Sequence, residues 1–219
     1  MDLKLNTLYN MDCMDGMKDI PDKYFELAIV DPPYGIGMDG QKECFCKNPN
    51  YNRKGHVKKS WDNERPTQKY FDELYRVSKN QIIWGANYFV SCLNEGTKGW
   101  VIWDKGQHGL TMSDAELAFT SFNCPTRVTV INRGELAREN TFHPTQKPTK
   151  LYKWLLTKYA KQGDKILDTH VGSASSLIAC YNLGFDYIGF EIDEDYYKAA
   201  QERMDAVKAQ VTIFEGLGG

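Results

Sequence analysis

The stretch VDPPYGIG (Val30–Gly37) sets a carboxylate, two prolines and an aromatic ring directly after an apolar run. Two successive prolines end a strand or helix, so Asp31, Pro32, Pro33 and Tyr34 are expected in a loop. The prolines have no N–H, so the tract offers carbonyl acceptors and one carboxylate. That set suits a donor such as the exocyclic amine of an aromatic ring. Such an amine is a poor nucleophile, because its lone pair is delocalised into the ring. Acceptors lying out of the ring plane favour a pyramidal nitrogen and aim the lone pair at a methyl group. A carboxylate beside it stabilises the positive charge that develops there. Tyr34 adds a stacking surface for a base drawn out of a helix.

A second stretch, LDTHVGSASSLIAC (Leu167–Cys180), reads as strand, small-residue turn and helix. Small side chains let backbone N–H groups and a helix N-terminus approach a ligand closely. Asp168 ends the strand. The next apolar run ends in Glu191, 19 residues after Gly172, where an acid can accept hydrogen bonds from ribose hydroxyls. The pair of features points to a nucleoside cofactor, either a dinucleotide or S-adenosylmethionine. The full GxGxxG is absent, which disfavours a pyrophosphate and hence a nicotinamide dehydrogenase.

Both loops need a scaffold. Apolar runs suited to buried strands recur at Leu3–Leu8, Phe25–Val30, Gln81–Trp84, Trp100–Trp103, Glu116–Thr120, Arg127–Ile131, Lys165–Leu167 and Tyr187–Phe190. Several are continuous rather than alternating, as in strands covered on both faces. Helical stripes fall between them. They are Tyr70, Phe71, Leu74 and Val77 behind Pro66, a candidate first-turn residue; Leu151, Trp154, Leu155 and Tyr159; and Tyr197, Ala200, Met204 and Val207. Alternating strands and helices predict an α/β fold with a doubly wound, mostly parallel sheet. In such sheets ligands bind beyond the carboxyl ends of the strands, where strand order reverses. If the strands before Asp31 and Asp168 are neighbours, their loops face each other, one able to hold a cofactor and the other the reacting group.

At 219 residues, 42% hydrophobic and with a net charge of -2, the chain reads as one globular domain. No apolar run reaches the ~18 residues of a membrane span, and MDLKLNTLYN lacks the pattern of a signal peptide. A cytoplasmic protein with reduced thiols is expected. Residues 38–63 fit neither period and read as a loop insertion. Within it, Lys47, Arg53, Lys54, Lys58 and Lys59 form a basic tract with no acid. These lysines and arginine are candidate phosphate contacts, with Tyr51 a stacking residue and Arg127, Arg133 and Arg138 a second basic set. Cys44, Cys46 and His56 make one C-x-C without a second pair, so no metal is expected.

DPPY after an apolar strand, followed by WGANYF (Trp84–Phe89), VIWDK (Val101–Lys105), HPTQKP (His143–Pro148) and FEID (Phe190–Asp193), resembles the DNA amino-methyltransferases. The order, with DPPY first and the glycine loop late, is similar to their permuted beta class, mostly adenine-specific. The resemblance covers most of the chain. It implies a Rossmann-like, S-adenosylmethionine-dependent methyltransferase fold with circularly permuted motif order, over a single catalytic domain, residues 1–219. It also implies a short target-recognition region at about residues 121–142.

By that resemblance, Asp31, Pro32, Pro33 and Tyr34 are catalytic. Asp12 and Cys13 line the cofactor's adenine, while Thr145, Gln146 and Lys147 lie near its methionine end. Asp31, Asp168, His170, Gly172, Ser173, Ser175, Glu191 and Ile192 complete the cofactor set. The family pattern DPFxGSGT is altered here to DTHVGSAS, with Thr169 for proline, His170 for an aromatic and Ala174 for glycine. The implied activity is methylation of adenine N6 in a flipped base of double-stranded DNA, without a covalent enzyme intermediate. Alternatives are cytosine N4 methylation and, in another class, an inactive nucleic-acid-binding module. A short recognition region fits a homodimer that completes the DNA contacts, and a companion restriction endonuclease is the other partner such a protein admits.

Overall fold

The computed structural model describes residues 3–40, 55, 58–93, 97–109, 113–132, 139 and 141–216. The strands are β1 (Thr7–Asn10), β2 (Phe25–Val30), β3 (Ser78–Trp84), β4 (Trp100–Asp104), β5 (Ala115–Thr120), β6 (Arg127–Val130), β7 (Lys165–Asp168) and β8 (Asp186–Glu191). The helices are α1 (Cys13–Lys18), α2 (Gln68–Val77), α3 (Thr149–Tyr159), α4 (Ser175–Leu183) and α5 (Glu194–Gly216). All eight strands join one sheet in the order β1-β8-β7-β2-β3-β5-β4-β6. Only β5 runs antiparallel to its neighbours, β3 and β4.

The strands form because their residues can be buried on both sides. In β2, Leu27 and Ile29 join one core cluster, while Phe25, Ala28 and Val30 join the other. The first cluster takes Leu151 and Leu155 of α3, Leu177 and Ile178 of α4, and Ala200 and Met204 of α5. The second takes Met17 of α1 and Phe71, Leu74 and Val77 of α2. Side-chain alternation along a strand thus feeds two helical layers, which is why no polar face is needed.

β2 pairs in parallel with β7, with Leu27 opposite Ile166 and Ala28 opposite Leu167. From β2 the chain moves to β3 on one side, and from β7 to β8 on the other. Strand order therefore reverses between them, and the loops after Val30 and Asp168 open at one crevice.

Several element boundaries depart from the sequence reading; β3 starts at Ser78 rather than Gln81, for example. β1 starts at Thr7 rather than Leu3, because Asn6 takes a left-handed φ of 60° that breaks an extended run. Pro66 precedes α2 rather than opening it; Thr67 is the cap and Gln68 the first helical residue. Among the described residues no helix is long and apolar enough to cross a membrane. Lys47, Tyr51, Arg53, Lys54, Arg133 and Arg138, with Cys44, Cys46 and His56, lie outside the described residues.

Candidate active site

Asp31 follows the last residue of β2 and stands at the bottom of the crevice. Its Oδ1 accepts from the Tyr34 hydroxyl at 2.6 Å, and its Oδ2 is paired with the Lys147 ammonium. Lys147, two residues ahead of α3, has a side chain only 2% exposed. Its Nζ also meets Glu116 Oε2 of β5 at 3.1 Å. Lys105, just past β4, holds the other Glu116 oxygen at 2.9 Å. A line of alternating charge therefore crosses the crevice from Lys105 through Glu116 and Lys147 to Asp31.

Burial sets the charge states. It pushes the Asp31 carboxyl above the ordinary range; the Lys147 ammonium opposes that and the Glu116 charge adds to it. For Glu116, burial is outweighed by Lys147 and Lys105, which hold its carboxyl below the usual range. For Lys147, burial is outweighed by Asp31 and Glu116, which raise its ammonium. The Tyr34 phenol is driven far up by burial and by Asp31, so it acts as a donor.

The loop around Asp31 is rigid for a local reason. Gly35 and Gly37 take φ of 67° and 71°, and the turn they make is pinned by Asp62. One Asp62 oxygen accepts from Gly35 N at 2.8 Å, the other from Met38 N at 2.7 Å. Arg65 Nε donates to the Tyr34 carbonyl at 3.1 Å. Tyr34 stacks on Tyr88, with ring centroids 5.0 Å apart and planes at 16°. Gly85, with φ 66°, lies behind the ring; a Cβ there would stand 2.1 Å from Tyr34 Cε1. Tyr34 and Tyr88 are thus a stacked pair fitted against a glycine.

Two cavities meet at this point. One, about 380 Å³, is bounded by Pro32, Tyr34, Asn87, Tyr88, Lys105 and Glu116. The other, about 510 Å³, is bounded by Asp12, Cys13, Gly172, Phe190, Glu191 and Ile192. Asp31, Pro33, Trp61, Thr145 and Lys147 line both. The larger space carries carboxylates at one end and apolar walls around it, and is of a size that takes a nucleoside-bearing molecule.

Thr145, Gln146, His170 and Ser173 also line the larger cavity. Other residues of that set serve the loop itself. Asp168 is buried beneath the turn, accepting from His170 N at 3.0 Å and from the Ser176 hydroxyl. Ser175 is buried too, joined to Ser173 Oγ at 3.1 Å and to Arg203 at 2.9 Å. Neither lines the cavity; both brace the turn. Glu191 lines it while accepting from Gly172 N at 2.8 Å and Asp193 N at 2.9 Å. Asp12 caps α1 through Met14 N at 2.8 Å and lines the cavity as well.

Burial pushes the Cys13 thiol up to about 12, so it is no nucleophile near neutral pH. Burial also drives His170 down to about 4, so its ring is neutral. That ring meets Thr169 Oγ1 through Nδ1 at 2.9 Å, and Thr169 in turn meets the Tyr70 hydroxyl at 2.6 Å. The altered loop is therefore closed by its own hydrogen-bond chain.

Of the basic tract, Lys58 is exposed. Lys59 is not presented to a phosphate: its Nζ pairs with Asp193 at 2.6 Å and Asp195 at 2.8 Å and sits over the Tyr196 ring. Its neighbour Trp61 stacks on His143, and His143 packs on Tyr196. The segment from Lys58 to Arg65 is thereby a strap across both cavities. Sequence reading missed Lys105, Glu116, Trp61, Asp62 and Tyr88. A base one residue past a strand and an acid within one carry no signal until the strand order is known.

The family model N6_N4_Mtase, described as DNA methylase, matches residues 83–202. Type II methyltransferase M.HpaI of Haemophilus parainfluenzae is 27% identical over 236 residues, covering 87% of this chain and 71% of its own length. The M1.HpyAVI–SAM complex superposes with a TM-score of 0.61 at 20% identity, over 90% of this chain and 98% of that one. The PvuII DNA methyltransferase, cytosine-N4-specific, gives 0.62 at 11% identity, over 93% and 90%. At these identities the structures establish a shared fold.

Proposed function

The chain belongs to the DNA methylase family, and from that membership we propose that it methylates an exocyclic amine of a base in duplex DNA. Adenine N6 is the preferred target, on the order of the motifs. The cofactor is S-adenosyl-L-methionine, which supplies an electrophilic methyl group when bound. The observation that carries the reading is the shared wall: Asp31, Pro33 and Lys147 border both the larger cavity and the smaller one.

The larger cavity suits that cofactor. Asp12 and Glu191 offer carboxylates to a nucleoside, and Phe190 and Ile192 offer apolar surface. Gly172, at φ 54°, brings bare backbone to the wall. The smaller cavity takes the flipped base, against the Tyr34 and Tyr88 rings.

Asp31 then does the chemistry that the sequence implies. Each of its oxygens already accepts one hydrogen bond, and each keeps a second lone pair for an amine N–H. Pro32 and Pro33 present no competing donor. Pull on the amine hydrogens concentrates the lone pair on nitrogen, and the fixed carboxylate stabilises the charge that builds there. No cysteine is required. The partner is double-stranded DNA, contacted through Lys58 and the basic tract around it.

Methyl-labelled S-adenosylmethionine should mark duplex DNA, and nucleoside digestion should return N6-methyladenine. Label on cytosine N4 would move the target to the other amine of the family. Label confined to RNA or protein would overturn the DNA assignment.

A further inference from the structure

The ammonium of Lys147 is shared. It bridges Asp31 on one side and Glu116 on the other, and Lys105 fixes Glu116 from the rim. A lysine meant only to hold Asp31 in place needs no second carboxylate 3.1 Å away. Glu116 is itself costly where it stands, since a partly buried acid loses hydration. It comes from β5, the one antiparallel strand, which lays it across the base cavity from Asp31.

The electrostatics of that arrangement have a direction. If Lys147 paired with Asp31 alone, the full ammonium charge would quench the carboxylate that must act on the amine. A second anion draws the ammonium partly away and adds its own negative potential. Both effects make Asp31 a stronger hydrogen-bond acceptor and a better base. We propose that Glu116 is a positioning residue for the transfer: it divides the Lys147 ammonium between two carboxylates and so leaves Asp31 the negative charge that activates the amine. This deepens the reading of the site as an amine methyltransferase and rests on it.

The groups around Asp31 are Tyr34 on its own loop, Lys147 ahead of α3 and Glu116 on β5. Farther off are Tyr152 on α3, Tyr70 on α2 and Asp168 on β7, each of which senses the Asp31 charge. Glu116 and Lys105 can be changed without touching Asp31 or its two direct partners, Tyr34 and Lys147.

The test is single-turnover methylation of duplex DNA by the full chain, followed from about pH 5 to 9. In Glu116→Gln the acid limb should move down by about one pH unit, because Asp31 loses a neighbouring anion and takes Lys147 whole. The plateau rate should fall on the order of tenfold, as the carboxylate becomes the weaker base. Cofactor affinity, read by calorimetry, should stay within about twofold. Glu116→Asp should recover part of the rate. Lys105→Met removes a rim cation and should move the acid limb the opposite way, which also serves if Glu116→Gln does not fold. An unmoved limb and rate in a folded Glu116→Gln overturns the proposal, as does a limb that moves down in Lys105→Met. A wild-type chain that labels no amine in DNA would instead overturn the function on which it rests.

Discussion

The loop after β2 and the loop after β7 open at the same crevice and are built on opposite terms. The first collects charge: Asp31, Lys147, Glu116 and Lys105 lie in one line, and Asp62 and Arg65 hold the turn from outside. The second absorbs charge. Asp168 serves a backbone N–H and Ser176, Glu191 serves Gly172 and Asp193, and His170 is kept neutral. On the proposed function, the loop that acts on a substrate amine keeps an acceptor free, whereas the cofactor loop uses its acids partly to fix backbone. The two kinds of acid look alike in sequence and differ in what their lone pairs face.

The largest expected effect separates the two loops by what they control. Asp31→Ala removes the acceptor that polarises the amine and should lower single-turnover methylation by about a thousandfold or more. Cofactor affinity should hold, because the rest of the larger cavity, including Gly172 and Glu191, is untouched. Calorimetry and a labelled-methyl assay on the same preparation check both halves. Undiminished turnover would remove Asp31 from the chemistry.

The second effect concerns the other acid. Burial raises Asp168 to about 7 from 3.8, against the pull of Ser176 and His170 N–H. The folded chain therefore binds that proton more tightly than the unfolded one. The stability this contributes is complete below about pH 4 and is lost as pH rises through about 7. Asp168→Asn mimics the protonated form and does not titrate. Its melting temperature relative to wild type should accordingly be higher at pH 8 than at pH 5. An equal difference at the two pH values would show that Asp168 is ionised across the range. The catalytic rate on bound cofactor should change far less than in Asp31→Ala.

These two acids also show what the sequence made legible. Phe25–Val30 was readable as a strand because five of its six residues are apolar and suited to burial, and the structure gives the same limits. The adjacency of the two loops was only a condition at the level of sequence, and the β2–β7 register supplies it. The difference between Asp31 and Asp168 was not readable. Each follows or ends an apolar run, and only the packing shows that one faces a cavity while the other is sealed under a turn. Glu116 was hidden for the same reason: within AELAFT it is an ordinary polar position of a strand, until β5 is placed antiparallel beside β3. Lys59 was legible as a cation but not as a partner of Asp193, 134 residues away.

The smallest effect lies within the cofactor loop, where Gly172 and Ala174 both take left-handed backbone, at φ 54° and 61°. For an L-residue with a side chain that conformation costs about 1–2 kcal/mol. At Gly172 a new Cβ would meet the His143 ring at 3.4 Å, an ordinary contact that offsets little. Gly172→Ala should therefore lose about 1 kcal/mol, a fall of about 2–4 °C in melting temperature for a domain of this size. Ala174 is different, because its methyl is fully buried in the core cluster with Leu177 and Ile178. Ala174→Gly would relieve the same strain but forfeit about 0.8 kcal/mol of methyl burial. It would also add about 0.5–1 kcal/mol of unfolded-chain entropy. The terms nearly cancel, so its melting temperature should stay within about 2 °C of wild type, even though glycine is the family's usual residue there. A rise well beyond that would mean the methyl contributes nothing and the turn carries uncompensated strain. A fall well beyond it would make Ala174 a core residue first and a turn residue second.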